Sequence, residues 1–126
     1  LKTINNDGYI ELYYDKDVFV GFLMLIANDL EEFEKHGINS IKFEETAIYG
    51  GVMLSPKYWG NGLQKQMTER LEKLALEKDY KYMLATVSPE NSYSYDNLIG
   101  SGYKVVGEKD MSKGFRYILV KNLIWL

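Results

Sequence analysis

Apolar and polar residues alternate along two stretches near the start of the chain. Ile10, Leu12 and Tyr14 take every second position, and Val18, Val20, Phe22, Met24 and Ile26 then do the same. A period of two predicts two strands. The polar Asp15-Lys16-Asp17 between them predicts a hairpin turn. The second strand becomes apolar on both faces near its end, as expected of a central strand. The pattern changes over 28–37, which predicts a short helix. Asp29 can cap it, Leu30 and Phe33 face inward, and Gly37 can close it. The chain then enters a strand that ends in Val52-Met53-Leu54. Inside that run Tyr49-Gly50-Gly51 sets two glycines in a strand pattern. One reading is a bulge or bend, and the other is close approach of a ligand to the backbone; the two are compatible.

Ser55-Pro56 closes that strand, and the loop Lys57-Tyr58-Trp59-Gly60-Asn61-Gly62 follows. Leu63, Met67, Leu71 and Leu74 then recur at i, i+4, i+8 and i+11, which puts four apolar side chains on one helical face. Lys65, Glu69, Arg70, Glu72, Lys73, Glu77 and Lys78 mix signs around the rest of that helix and read as a solvated face. Residues 80–87 read as a buried strand that Ser88-Pro89-Glu90-Asn91 ends. A second helical stretch leads from Asn91 to Gly102, and a last hairpin pairs Tyr103–Gly107 with Phe115–Lys121 around a turn near Asp110–Gly114. The tail Asn122-Leu123-Ile124-Trp125-Leu126 is unusually apolar. It reads as a strand extension packed on the sheet or as a contact between two copies of the chain, with burial of Trp125 the sign of the latter.

The strand, glycine loop and helix over 48–76 carry the chemistry. The first N–H groups of a helix have no partner within it, and the helix dipole adds partial positive charge, so such a start suits a phosphate or pyrophosphate. Two nucleotide motifs fit poorly. A Walker loop needs Gly-Lys-Ser/Thr, but Gly62 is followed by Leu63 and Gln64. The dinucleotide fingerprint needs a small residue where Lys65 stands. On its own the loop could equally be a plain tight turn.

Composition narrows the rest. A chain of 126 residues makes one domain with one core. The net charge of −3 argues against a nucleic-acid binder. There is no cysteine, hence no disulfide, thiolate zinc site or cysteine nucleophile, which fits a reducing cytoplasm. His36 is the only histidine, so neither a Ser-His-Asp triad nor a multi-histidine metal site is expected; its place at a helix end reads as a solvated last-turn residue. No run reaches membrane-spanning length.

The segment Val52-Met53-Leu54-Ser55-Pro56-Lys57-Tyr58-Trp59-Gly60-Asn61-Gly62 resembles the acetyl-CoA-binding core of the GNAT-type N-acetyltransferases. That family has a V-x-V-x-P strand, a (Q/R)-x-x-G-x-(G/A) loop and a long amphipathic helix. Both glycines are in register, and Lys57 stands where the family has Gln or Arg. Residues 91–103 resemble the second signature, N-x-x-A-x-x-L-Y-E-K-x-G-F. Asn91 and Gly102-Tyr103 match, Ser94 replaces Ala, and Leu98 falls where the family's Tyr would be. The resemblance covers about residues 8–121. It implies an α/β (α+β) fold of GNAT type, a mixed, mostly antiparallel sheet with helices on both faces, in a single domain over 1–126. The family's first strand and first helical pair are expected before Leu1.

The resemblance also implies acetyl transfer from acetyl-CoA to a primary amine by direct attack. The acceptor is either a small molecule or a protein amine, and no metal, nucleic acid or membrane is expected as a partner. A CoA-binding module of the same fold that has lost turnover is the alternative, and Leu98 at the Tyr position motivates it. Cofactor contacts are expected from Val52, Met53, Leu54, Lys57, Tyr58, Trp59, Gly60, Asn61, Gly62, Leu63, Gln64 and Lys65, and from Asn91. Glu44 and Glu45, just upstream on the strand, are candidate bases or solvated strand-start charges, with Glu45 the choice. Tyr95, one helical turn before Leu98, is the candidate acid or a packing aromatic.

Overall fold

The computed structural model describes residues 2–4, 8–111 and 114–124, with side chains from residue 8 onward. Seven strands form one sheet: β1 (Lys2–Ile4), β2 (Gly8–Asp15), β3 (Val18–Ile26), β4 (Thr46–Leu54), β5 (Tyr82–Val87), β6 (Lys104–Met111) and β7 (Gly114–Asn122). Their order is β1-β2-β3-β4-β5-β7-β6. Only β4 and β5 run parallel; the other neighbours are antiparallel. A parallel pair needs a long crossover, and the helix α2 (Leu63–Glu77) supplies it. The other helices are α1 (Leu30–Glu34) and α3 (Ser92–Gly100).

The main core lies between the sheet and α2 and α3. Leu23, Leu25, Met83, Ala85 and Leu119 meet Met67, Leu71 and Leu74 of α2 and Leu98 of α3. Each of these Leu and Met side chains contributes about 1.5–3 kcal/mol through burial. On the other face Ile48, Leu84 and Ile118 are covered by Phe33, Ile38 and Ile41 around α1. The expected sheet with helices on both faces is therefore present.

Several sequence expectations need correction. The edge strand β1 was not expected within the chain, and it pairs with β2 from Lys2↔Ile10 to Ile4↔Gly8. The fully buried face of β3 is Leu23 and Leu25, not the even-numbered set, because α2 covers that side. Leu30 is 50% exposed instead of facing inward; Phe33 packs toward the sheet, edge-on to Phe43 at 5.7 Å. His36 is 4% exposed, not solvated. Glu72 is buried too, because Lys121 reaches it across the core edge at 2.9 Å. The β6 strand runs on to Met111, past Gly107, through a register shift between Val105 and Gly107. Leu123 is buried after β7, whereas Trp125 lies outside the described residues.

The feature that positions everything else is a gap in the sheet. The β4–β5 ladder holds only Thr46↔Tyr82, Ala47↔Met83 and Ile48↔Leu84. Beyond it β4 follows β3 as far as Leu54, and β5 follows β7 as far as Val87. The cause lies in the two glycines. The register shifts from Leu25↔Tyr49 to Met24↔Gly51, leaving Gly50 as the extra residue of a bulge. A Cβ at Gly50 would lie 2.8 Å from the Met24 carbonyl oxygen, so no side chain fits there. Gly51 has φ +149, a conformation that L side chains rarely adopt. A bulge bends its strand and increases local twist, which carries β4 away from β5.

Candidate functional site

A strand residue sends its N–H and C=O to the same edge. The Ser55 N–H crosses to the Val20 carbonyl of β3 at 2.8 Å, so Met53 and Ser55 point at β3. Val52 and Leu54 then point into the gap. Side chains confirm this direction for the two carbonyls. Gln64 Nε2 donates to the Val52 oxygen at 3.3 Å, and Trp59 Nε1 donates to the Leu54 oxygen at 2.7 Å. The N–H groups of Val52 and Leu54 face the same way, beyond the end of the β5 ladder.

The gap opens on the α2/α3 face into a cleft of about 270 Å³. Gly50, Gly51 and Val52 of β4 form one wall, with Thr86, Val87 and Ser88 opposite; Gln64, Asn91, Ser94, Asn97 and Leu98 close it from the helices. A groove of about 210 Å³ continues along Val52, Met53 and Leu54 to Trp59. Trp59 stacks on Tyr93 with ring centroids 4.3 Å apart and planes 15° apart, and so joins the loop to α3 across the groove. A second cavity of about 400 Å³ lies on the α1 face, lined by Ile26, Glu32, Lys35, His36, Ile48 and Met111. Tyr49, Gly50, Thr86 and Arg116 line both cavities, so the two meet through the sheet.

The loop at the groove's far end is built by local rules. Pro56–Tyr58 forms one 3-10 turn, tied down by the Tyr58 hydroxyl donating to Asp15 Oδ2 at 2.7 Å. Gly60 (φ +87) and Gly62 (φ +75) are left-handed, and Gly62 is the N-cap of α2 with no side-chain cap bond. A Cβ built on either glycine meets nothing within 4 Å. The conformation, not crowding, calls for glycine here, and the space outside the first turn stays open. Uncapped first-turn N–H groups in open space are what an anion needs. Lys65 is exposed in that same turn.

The expected contacts therefore sort clearly. Val52, Met53, Leu54, Trp59, Gln64 and Asn91 line the cleft and groove. Lys57, Gly60, Asn61, Gly62 and Lys65 form the exposed loop and helix start, with half-buried Tyr58 and Leu63 beside them. Asn91 also caps α3, its Oδ1 accepting from the Ser94 N–H at 3.1 Å. The two catalytic choices sit elsewhere. Glu45 ends the turn before β4, its carboxylate 3.1 Å from Lys81 Nζ, at the opposite end of the strand from the gap. Tyr95 packs on Tyr117 with centroids 5.6 Å apart. Neither lines the cleft. Leu98, at the position of the family's Tyr, does line it and is buried.

Sequence reasoning missed Thr86, Ser88, Asn97 and Arg116, and misplaced His36. Arg116 stands between Phe115 and Tyr117 in an apolar strand, and that pattern was the available signal. Beneath the site, Tyr49 hydrogen-bonds to Thr68 at 3.0 Å and meets Tyr103 edge-on at 6.0 Å. Burial pushes the Tyr49 phenol up to about 12, and burial with the nearby Glu72 charge pushes Tyr103 well above the ordinary tyrosine value. Among the described residues, no group of three or more His, Cys, Asp or Glu could hold a metal ion, and no helix is long and apolar enough to cross a membrane.

Comparison with known proteins places this geometry. A family model described as the acetyltransferase (GNAT) family matches residues 2–97. No curated protein matches the chain. Among solved structures, yncA from Salmonella typhimurium, with its cofactor acetyl-CoA, superposes with a TM-score of 0.67 at 17% identity over 90% of this chain and 64% of its own. A GNAT family acetyltransferase from Elizabethkingia anophelis with acetyl-CoA bound gives 0.72 at 14% identity, over 91% and 76%. The PaiA N-acetyltransferase from Thermoplasma acidophilum in complex with coenzyme A gives 0.65 at 18%, over 91% and 60%. The chain thus spans less than two thirds of the length of two of these structures, and at such identities the likeness shows a shared fold.

Proposed function

From the premise that this chain belongs to the acetyltransferase (GNAT) family, we propose that it moves an acetyl group from acetyl-CoA to a primary amine by direct attack. One observation carries the reading: two cavities on opposite faces of the sheet meet where β4 and β5 part, at Gly50 and Thr86. Donor and acceptor can approach through that gap from opposite sides. Holding two reactants in line can supply roughly 7–11 kcal/mol of the barrier.

The residues present suit the donor. Gly60, Gly62 and the uncapped start of α2 offer backbone N–H groups and open space to a pyrophosphate. The groove along Val52–Leu54 offers a strand edge to the extended arm. Bound acetyl-CoA supplies an activated thioester. The N–H of Val52 or Leu54 then polarises its carbonyl oxygen, a role for which backbone donors need no reorganisation. Leu98 has no proton to give the departing sulfur. An ordinary thiol has a pKa of about 8.5, so the thiolate is a fair leaving group and can take its proton from water. Loss of the Tyr at that position is therefore compatible with turnover.

The test is thiol release from acetyl-CoA with a panel of amines, comparing the parent with Gly62→Val. The expected result is acetyl-CoA-dependent release in the parent and at least a tenfold loss of acetyl-CoA affinity in the folded variant. Acetyl-CoA binding without thiol release for any amine would favour a binding module that has lost turnover.

A further inference from the structure

The cavity on the α1 face has a chemical bias that the acetyl-transfer reading leaves open. Its charged side chains are Glu32, Lys35 and Arg116, with His36 beside them. Glu32 and Lys35 form a partly exposed ion pair at 3.7 Å. Lys109, from β6, donates to the Lys35 carbonyl oxygen at 2.5 Å and is used there. Arg116 has no carboxylate partner among the described residues; its Nη1 donates to the neighbouring Phe115 carbonyl at 3.0 Å. A solvent-accessible guanidinium with no carboxylate partner among the described residues, on a residue that lines both cavities, is a site for a planar anion.

His36 adds the second half. Its Nδ1 lies 2.9 Å from the Glu32 carbonyl oxygen, on the turn where α1 ends. A carbonyl can only accept, so Nδ1 carries the hydrogen. In the neutral ring Nε2 then carries the lone pair, and it bonds to no described residue. A buried ring with a fixed tautomer and an unengaged nitrogen, on a residue that lines a cavity, has the form of a base. Glu45 lacks that placement.

We propose that the α1-face cavity is the acceptor site for an amine that also bears a carboxylate, with Arg116 binding the carboxylate and His36 taking the proton from the attacking nitrogen. The proposal rests on the acetyl-transfer reading above. The ammonium of the acceptor loses one proton to His36 Nε2. Its nitrogen pair attacks the thioester carbon, the C–N bond forms, the C–S bond breaks, and the sulfur leaves as a thiolate that is protonated from water. The nitrogen gives its second proton to water as the amide forms, which balances the proton the thiolate takes, and His36 returns its own to solvent. The titratable and charged groups that share the cavity with His36 are Glu32 and Lys35 of the α1 segment, Tyr49 of β4 and Arg116 of β7, with Lys109 of β6 bonded to the Lys35 carbonyl beside it.

The experiment pairs free L-amino acids with their carboxamides as probes. Each is titrated by calorimetry into the protein with and without CoA, and each is then assayed for thiol release with acetyl-CoA. The expected result is at least tenfold preference for the acid over its amide. Arg116→Gln should erase that preference by raising KM for the acid about tenfold to a hundredfold, leaving KM for acetyl-CoA unchanged. His36→Gln should lower kcat at least tenfold with little change in acceptor KM. Equal handling of acid and amide, or an Arg116→Gln effect on acetyl-CoA alone, would overturn the proposal. Failure of the acetyl-transfer reading shows separately, as no acetyl-CoA binding or as binding without thiol release for any amine. Acid-over-amide selectivity is still read then, by calorimetry without CoA, and its absence overturns the proposal in that case too.

Discussion

Replacing Lys121 with Met removes the cation that Glu72 depends on. Lys121 Nζ lies 2.9 Å from Glu72 Oε1, and the two side chains are only 14% and 5% exposed. Glu72 Oε2 is buried and has no hydrogen-bond partner among the described residues, although its charge acts on the nearby Tyr103 phenol. The variant therefore leaves a carboxylate in the core without its one charged contact. Breaking a buried pair in this way costs about 3–5 kcal/mol. The Lys121 stem retains some access to water, so the lower end, about 3 kcal/mol, is expected. For a domain of this size that is a fall of roughly 10–15 °C in Tm. Urea unfolding followed by circular dichroism gives the free energy directly. A second variant, Lys121→Met with Glu72→Leu, removes the stranded charge and should recover about 2 kcal/mol or more of the loss, a coupling that a double-mutant cycle isolates. A cost below 1 kcal/mol for the single variant, or additive effects in the cycle, would refute the reasoning.

Other outcomes follow from the same geometry. Glu45→Gln should leave acetyl transfer unchanged and cost at most about 1 kcal/mol, because its ion pair with Lys81 is partly exposed and far from the gap; a tenfold loss of kcat would restore it as the base. Tyr95→Phe should keep turnover within about twofold, since its ring packs on Tyr117; a larger fall would restore it as the acid. Gly51→Ala should cost about 1–2 kcal/mol of stability in urea unfolding, because φ +149 suits only glycine. The phenols of Tyr13, Tyr49 and Tyr103 are all raised by burial, Tyr49 to about 12. The native state thus holds these protons more tightly than the unfolded chain. Their stabilisation is full below the ordinary tyrosine value of 10 and is lost as pH rises above it, so Tm should hold steady up to that point and then fall. Early ionisation of these phenols, read by tyrosinate absorbance in the folded protein, would contradict this.

What was legible in the sequence was what local chemistry decides. The strand over Val52–Leu54, the glycine loop and the α2 stripe all follow from spacing within a few residues, and they lie where expected. The Tyr49-Gly50-Gly51 bulge was readable for the same reason: two glycines in a strand mark a backbone that no side chain can share. What was not legible depends on distant partners. Glu72 reads as solvated until Lys121, from β7, is brought against it. His36 reads as a last-turn residue until α1 folds onto the sheet and buries it. Arg116 is one charge in an apolar strand, and only the parting of β4 from β5 puts it between two cavities. Glu45 was chosen by nearness in sequence to the cofactor strand, but strand length carries it to the far end of β4.

The central claim is that acetyl-CoA lies in the gap between β4 and β5, with its pyrophosphate on the Gly60–Gly62 loop. Amide hydrogen exchange, with and without saturating acetyl-CoA and with ATP as control, tests it most directly. The account predicts new protection confined to residues 51–54, 59–66 and 88–94, produced by acetyl-CoA and not by ATP. A larger groove of about 690 Å³ lies elsewhere, lined by Gly102, Lys104 and Lys121. Protection of residues 100–106 with β4 and the glycine loop unchanged would contradict the account and move the ligand to that groove.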